Sequence, residues 1–356
     1  MGSIVPTLLG PQSWASGLPS WMPELVADAR QIVLLVLDGL GWDQLRDHES
    51  CAPTLSSMVG GPITTVAPTT TATALCSIAT GLAPGEHGLV GYRIMLGGEV
   101  LNVLRWAVDG DDRRRHHLPE DIQRYPAFLG ETVPVISPIE LVNTSFSAAH
   151  QRGGFPVGWR ASSSMPIEVR QQLADGQRFV YAYYGGIDRI AHERGFGEFY
   201  DAELKFADRL VADVLEILPP GAVLLVTADH GQVSVGSNIV YPPSSVLDLV
   251  ADQSGEGRFR WLHARRGAGD DLLVAAEEAF GRQAWVVSRH QLVDEGWFGP
   301  TMSRPVMSRL GDVAVIATEP VSFHDPDDSG PFELVCRHGS MTSAEVYVPL
   351  LAGTRP

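Results

Sequence analysis

Three aspartates and three histidines in this chain are spaced as metal ligands could be. Asp38 ends the apolar run Ile32-Val-Leu-Leu-Val-Leu37, and Asp229 and His230 close the segment Val223-Leu-Leu-Val-Thr-Ala228. Sites of α/β proteins gather at the carboxyl ends of such strands, although an aspartate there can also cap a following helix. Burying an adjacent Asp-His pair without a counter-charge is costly, and a carboxylate with a neutral imidazole suits a divalent metal. In Asp188-Arg-Ile-Ala-His192 the two polar groups are four residues apart, so a helix puts them on one face. In Arg337-His338-Gly339-Ser340 the glycine permits a tight loop behind the histidine. Together these residues exceed what one tetrahedral zinc requires, and a pair of metals with shared or open positions is the economical reading.

A nucleophile has to stand beside such metals. The segment Pro68-Thr-Thr-Thr-Ala-Thr-Ala-Leu-Cys-Ser-Ile-Ala-Thr-Gly81 crowds hydroxyls at the expected start of a helix. Free N–H groups and the helix field favour an oxyanion there. A hydroxyl becomes a competent nucleophile when a metal favours its alkoxide. Composition alone does not choose among Thr69, Thr70, Thr71 and Thr73.

These groups need elements to hold them. Ile32–Leu37, Thr132–Ile136, Phe179–Tyr184 and Ala222–Thr227 read as strands, the continuous apolar ones as buried. Helices are expected over Trp42–Arg46, Ala72–Ala79, Met165–Ala174, Ala202–Leu218 and Asp270–Phe280, with an apolar stripe of Leu204, Phe206, Leu210, Val211 and Val214 in the fourth. Val313–Ala317 continues the alternation as a further strand. The pattern predicts a three-layer α/β/α sandwich with a mainly parallel central sheet. Residues 1–30, rich in proline, are expected as an N-terminal arm with a short helix near Met22–Arg30. Residues 31–350 are expected as one catalytic domain, with loop insertions near 91–125 and 232–310.

The 356 residues carry a net charge of -16. That argues against binding long nucleic acid, which needs a basic footprint, but not against a small phosphate ester, since bound metals reverse the local field. The basic run Arg113-Arg-Arg-His-His117 is short and flanked by acids, and reads as a solvated loop. No apolar run is long enough to cross a bilayer and no signal core is visible, so a cytoplasmic, membrane-free protein is expected. Cys51, Cys76 and Cys336 are widely spaced and read as separate thiols.

Taken in order, Val36-Leu-Asp-Gly39, the threonine segment ending Ala79-Thr-Gly81, Gly85-Glu-His-Gly88, Asp188-x-x-x-His192, Thr227-Ala-Asp-His-Gly231 and His338-Gly339 make the chain resemble the alkaline phosphatase superfamily. The similarity is to its type I phosphodiesterase and nucleotide pyrophosphatase branch, over roughly residues 30 to 345. The resemblance implies an alkaline-phosphatase-like fold and two divalent ions, zinc first, with manganese or another divalent metal as the alternative. It places the nucleophile ten residues before Gly81, at Thr71, with Thr70 as the other register. It implies that Asp188, His192 and His338 hold one metal, and Asp38, Asp229 and His230 the other, beside Thr71.

The implied activity is hydrolysis of phosphodiester or nucleotide pyrophosphate-type bonds through a phosphothreonine. The alternatives are a phosphomonoesterase of the same superfamily and a noncatalytic metal-stabilised binding protein. A mutase would need a large inserted domain, which is not visible in the sequence, and a sulfatase would need cysteine or serine where Thr71 stands. The branch often has Thr-Phe-Pro-Asn at the nucleophile, whereas this chain has Thr71-Ala-Thr-Ala74, so Ala74 stands at the asparagine position with Thr73 beside it. A monoester would need an additional cationic clamp, for which Arg93, Arg189 and Arg194 are candidates. His87 is expected to be structural, and His290 and His324 to lie outside the site.

Overall fold

A computed structural model describes residues 1–10, 17–328 and 333–356. Its centre is a seven-stranded sheet of β1 (Gln31–Leu37), β2 (Val59–Thr64), β3 (Pro134–Pro138), β4 (Phe155–Trp159), β5 (Phe179–Tyr184), β6 (Ala222–Thr227) and β7 (Tyr347–Gly353). The spatial order is β2-β7-β6-β1-β5-β3-β4. β6, β1, β5, β3 and β4 run parallel, while β7 pairs antiparallel with both β6 and β2. The α/β architecture with a large, mainly parallel sheet is therefore as the sequence predicts.

β1 sits between β5 and β6, and its side chains from Ile32 to Leu37 are all buried. A strand covered on both faces has no polar side to present, hence the uninterrupted apolar run. Each Val or Leu buried here contributes about 1.5–3 kcal/mol relative to exposure. Three helices bear on the site: α1 (Thr71–Thr80), α2 (Gly186–Arg194) and α3 (Glu198–Ile217). α3 buries Leu204, Leu210, Val211 and Val214 as its stripe predicts, but Phe206 is exposed. It lies at the edge of the stripe, its ring 5.9 Å from that of Tyr184.

Residues 250–317 do not continue the central sheet. Val250–Glu256, Phe259–Ala264, Val313–Ala317 and Ala284–Ser288 form a separate antiparallel sheet in that spatial order. Helix Gly269–Phe280 packs on it, and Leu262, Leu272, Phe280, Val315 and Phe323 belong to a hydrophobic cluster of its own. A smaller antiparallel sheet begins with the hairpin Arg93–Leu96 and Glu99–Asn102. A buried ion-pair chain ties this hairpin to the separate sheet of residues 250–317, the cap. Arg93 pairs with Asp325, Arg260 with Asp325 at 3.0 Å, and Arg260 with Asp328 at 2.9 Å.

In the proline-rich first thirty residues, Ile4–Leu9 is a helix that buries Ile4, Val5 and Leu8. Near Met22–Arg30 only a single tight turn forms, over Glu24–Val26. Pro11, and with it residues 11–16, lies outside the described residues. Among the described residues no helix is long and apolar enough to cross a membrane. Arg113 and Arg114 pair with Glu99, Asp111 and Asp112 in the solvated loop, and the three cysteines are free and buried.

Candidate active site

The carboxyl ends of β6, β1 and β5 lie side by side because Val36 pairs in register with Thr227 and Leu37 with Tyr184. That register brings Asp38, Asp229 and His230 to one edge of the sheet. Asp188 joins them as the third residue of α2, the helix after β5, and its backbone N–H donates to the Asp38 carbonyl at 3.1 Å. Gly39, at φ 76°, makes this approach possible, since a Cβ there would lie 2.6 Å from Gln232 Nε2 and 2.9 Å from the Asp188 Cα.

His338 arrives from the far end of the chain. Thr69 N–H donates to the Gly339 carbonyl at 3.1 Å, and Gly339 N–H donates to Thr69 Oγ1 at 3.0 Å. These bonds fasten the His338 loop to the segment entering α1 and hold the histidine beside the start of that helix. Thr71 is the first residue of α1. Its Oγ1 lies 3.1 Å from His230 Nε2, which is itself 3.4 Å from Asp229 Oδ2 and 3.5 Å from Asp38 Oδ1.

The donor atoms fall into two overlapping groups. Asp38, Asp229 and His230 converge as one, and Asp188, His230 and His338 as the other. His192 sits beside the second, its Nε2 3.2 Å from Asp188 Oδ1. The His230 ring stacks on His338 with centroids 3.6 Å apart, so His230 belongs to both groups. All six predicted metal-ligating residues and Thr71 are thus brought together.

The orientation of each imidazole is fixed from behind. Nδ1 of His192, His230 and His338 faces the carbonyls of Cys336, Gly231 and Thr69 at 2.7, 3.1 and 2.8 Å. A carbonyl can only accept, so each Nδ1 carries a proton, and in the neutral ring Nε2 then presents a lone pair. Burial, then the neighbouring His230 and His192, hold His338 well below the ordinary imidazole range, so it is neutral as a ligand must be. Burial, followed by the charges of Asp229 and Asp188, pushes Asp38 well above the carboxylate range. Burial likewise raises Asp229, with Asp188 adding to it against His230. Burial also opposes ionisation of Asp188, but His192, whose own protonation Asp188 favours, brings it below its ordinary value.

Asp38 Oδ1 and Asp229 Oδ2 are buried without any hydrogen-bond partner. Orphaned carboxylate oxygens facing imidazole lone pairs are an unfavourable arrangement for the protein alone and a suitable one for cations. The residues present therefore fit a pair of divalent metals.

Sequence patterns did not single out three supporting residues. Tyr183 donates its hydroxyl to Asp38 Oδ2. Gln232 Nε2 donates to Asp188 Oδ1 at 2.8 Å. Glu345 accepts from Ser340 N–H at 2.9 Å and forms two 2.8 Å bonds with Arg258, joining the His338 loop to the cap. Tyr183 alternates with ordinary strand residues, Gln232 lies in a loop and Glu345 in the four-residue helix Ser343–Val346, so no period marks them.

His87 is structural. Leu89 N–H donates to its Nδ1 at 3.1 Å, which leaves Nε2–H to donate to Ser77 Oγ on α1 at 2.9 Å. His324 packs its ring on Tyr241 instead of facing the site. Thr73 is buried with an unpartnered hydroxyl. Arg93 is committed to Asp325, while Arg194 lies over the Phe199 ring. The arginines that face the site are Arg105 and Arg337.

Two cavities meet at Thr71. One, of about 320 Å³, is lined by Thr71, Asp188, His192 and His338 and beyond them by Tyr92, Arg105, Glu256 and Arg337. The other, of about 140 Å³, is mostly apolar, with Leu75, Leu141, Phe146 and Tyr183 in its wall. Thr71 and Leu104 line both.

Comparison with known proteins finds the same fold. The murine ectonucleotide pyrophosphatase/phosphodiesterase 5 is 13% identical, with a TM-score of 0.68 over 91% of this chain and 88% of that one. An inactive threonine-to-alanine variant of the same murine protein, in complex with AMP, gives a TM-score of 0.67 at 12% identity over 92% and 88%. Phosphonoacetate hydrolase from Sinorhizobium meliloti 1021, in complex with phosphonoformate, gives 0.64 at 15% identity over 92% and 91%. No curated protein sequence matches the chain. The family profile described as type I phosphodiesterase / nucleotide pyrophosphatase matches residues 32–137 and 160–340. That match covers most of the chain and its site segments, and the protein belongs to the type I phosphodiesterase/nucleotide pyrophosphatase family, whose members are hydrolytic enzymes.

Proposed function

We propose that this enzyme cleaves phosphodiester or nucleotide pyrophosphate-type bonds through a covalent intermediate on Thr71, with two divalent ions, zinc first, as cofactors. The observation that carries the reading is the position of Thr71. Its hydroxyl opens a helix, lies 3.1 Å from His230 Nε2, and stands where two cavities meet. Two cavities at one nucleophile accommodate two substituents on one phosphorus, which favours a diester over a monoester.

Asp38, Asp229 and His230 would hold one ion, and Asp188, His192 and His338 the other. Bound there, the ions supply charge neutralisation for the phosphoryl oxygens and favour ionisation of the Thr71 hydroxyl. In the first turn of α1 the Thr73 N–H donates to the Thr70 carbonyl at 3.1 Å, which leaves the N–H groups of Thr71 and Ala72 to donate to a phosphoryl oxygen. As the Thr71 Oγ–phosphorus bond forms, the ester bond to the leaving oxygen breaks and that oxygen takes a proton. Water then attacks the same phosphorus, the Thr71–phosphorus bond breaks, and Thr71 regains its proton as the monoester departs. Tyr183 and Gln232 keep Asp38 and Asp188 aimed during both steps.

The test compares para-nitrophenyl phosphate with methyl para-nitrophenyl phosphate on the metal-loaded enzyme. A higher kcat/KM for the diester is expected. A clear preference for the monoester would favour the phosphomonoesterase reading instead.

A further inference from the structure

The larger cavity has acids and cations in its wall, and most of them are already matched. Asp328 is bound by Arg260 at 2.9 Å. Glu256 is buried, its Oε2 3.8 Å from His338 Nδ1. Arg337 is different. Its Nε is buried without a partner, and among the described residues no acid closes an ion pair on its guanidinium. Asp328 and Glu333 act on it only through space.

The fold also makes room for this side chain. A Cβ on Gly257 would lie 2.1 Å from Ser322 Oγ and 3.0 Å from Arg337 Nη1, so the glycine leaves a tight seat between these two side chains. Arg337 is fixed in sequence and in strand pairing next to His338, since Cys336–Arg337 pairs with Val233–Ser234. Arg105, exposed at the same cavity, adds a second positive group. A partly buried, seated and unpaired guanidinium in the wall of the same cavity as the nucleophile is a ready partner for an oxyanion.

We infer that Arg337 is a specificity-determining residue that binds a second anionic group of the substrate, a carboxylate or a further phosphoryl group, beyond the phosphorus that is attacked. This rests on the hydrolytic reading of Thr71. It narrows the substrate to esters in which one arm is itself anionic, the arm lying in the larger cavity. The apolar cavity then receives the other arm.

The experiment uses metal-loaded wild type, Arg337→Ala and Arg337→Lys with three compounds. Methyl para-nitrophenyl phosphate has a neutral arm, carboxymethyl para-nitrophenyl phosphate a carboxylate, and ATP a further phosphoryl group. The expected result is that kcat/KM for an anionic compound, taken relative to the methyl ester, falls about tenfold or more in Arg337→Ala, mainly through KM. Arg337→Lys should recover part of the loss. A fall confined to the carboxymethyl ester identifies a carboxylate as the partner, and one confined to ATP a phosphoryl group. Unchanged ratios for both compounds would overturn the inference.

Calorimetric binding of the same compounds to metal-loaded Thr71→Ala, with and without Arg337→Ala, separates this inference from the reading beneath it. If wild type hydrolyses none of the three, the hydrolytic reading fails. Weaker binding of an anionic compound without Arg337 would still establish the anion site, and equal affinities would refute it.

Discussion

Asp38 shows how much of the site depends on residues that hold no ligand position. One of its oxygens is unpartnered and turned toward His230, while the other accepts from Tyr183. Removing that hydroxyl leaves the carboxylate free to rotate and undoes part of its alignment. Tyr183→Phe is expected to weaken metal binding about 10–100-fold, read by competition with a chelator. Affinity equal to wild type would show that Asp38 needs no support. The ligands were legible because Asp38 and Asp229 interrupt strongly apolar runs and His192 follows Asp188 at a helical spacing. Tyr183 was not, because an aromatic residue in a strand is the expected one. Arg337 stands beside His338 in the sequence, but its role is not visible there, since only the folded chain shows which arginines are already paired.

At the scale of elements, the His338 loop is the vulnerable part. It is bound to α1 by Thr69 and to the cap by Glu345, which forms a buried two-bond pair with Arg258. Truncating Glu345 would leave Arg258 as an uncompensated buried charge. Glu345→Ala is expected to destabilise the fold by about 3–5 kcal/mol, measured by urea denaturation. A loss under about 1 kcal/mol would mean that the pair is dispensable.

The buried parallel strands and their helices could be read from the sequence because their apolar runs have no other use. β2, with Gly60, Gly61 and Pro62, escaped notice; it is a mostly exposed edge strand, where such residues are tolerated. The cap sheet was misplaced for a different reason. Val313–Ala317 is fully buried wherever it pairs, and periodicity carries no information about its partner strand.

For the molecule as a whole, acid should be a stronger stress than its net charge suggests. Burial lowers His87 from 6.5 to about 3 and His150 from 6.5 to about 4. Below pH 6.5 the unfolded chain takes up protons at these rings while the folded chain does not, so stability falls as pH falls. Each ring contributes a slope of up to about 1.4 kcal/mol per pH unit across that window. In His87→Gln, which keeps a donor for Ser77 and an acceptor for Leu89, the stability of the metal-free protein between about pH 6 and about pH 4.5 should fall less steeply by roughly that amount. An unchanged slope would contradict the assignment of His87 as a buried neutral ring. The two cores differ in their service to the site. The central sheet sets the ligands at one edge, and the cap brings Glu256 and the seat of Arg337 over them.

The central claim is that Thr71 carries the phosphorus between the two chemical steps. Metal-loaded enzyme turning over a para-nitrophenyl diester is quenched in acid, digested and sequenced by mass spectrometry. The prediction is a phosphoryl ester on Thr71, present during turnover and absent in Thr71→Ala, which keeps its metals but loses at least about a thousandfold in kcat. A phosphorylated Thr70, or a folded Thr71→Ala enzyme with wild-type turnover, would contradict it.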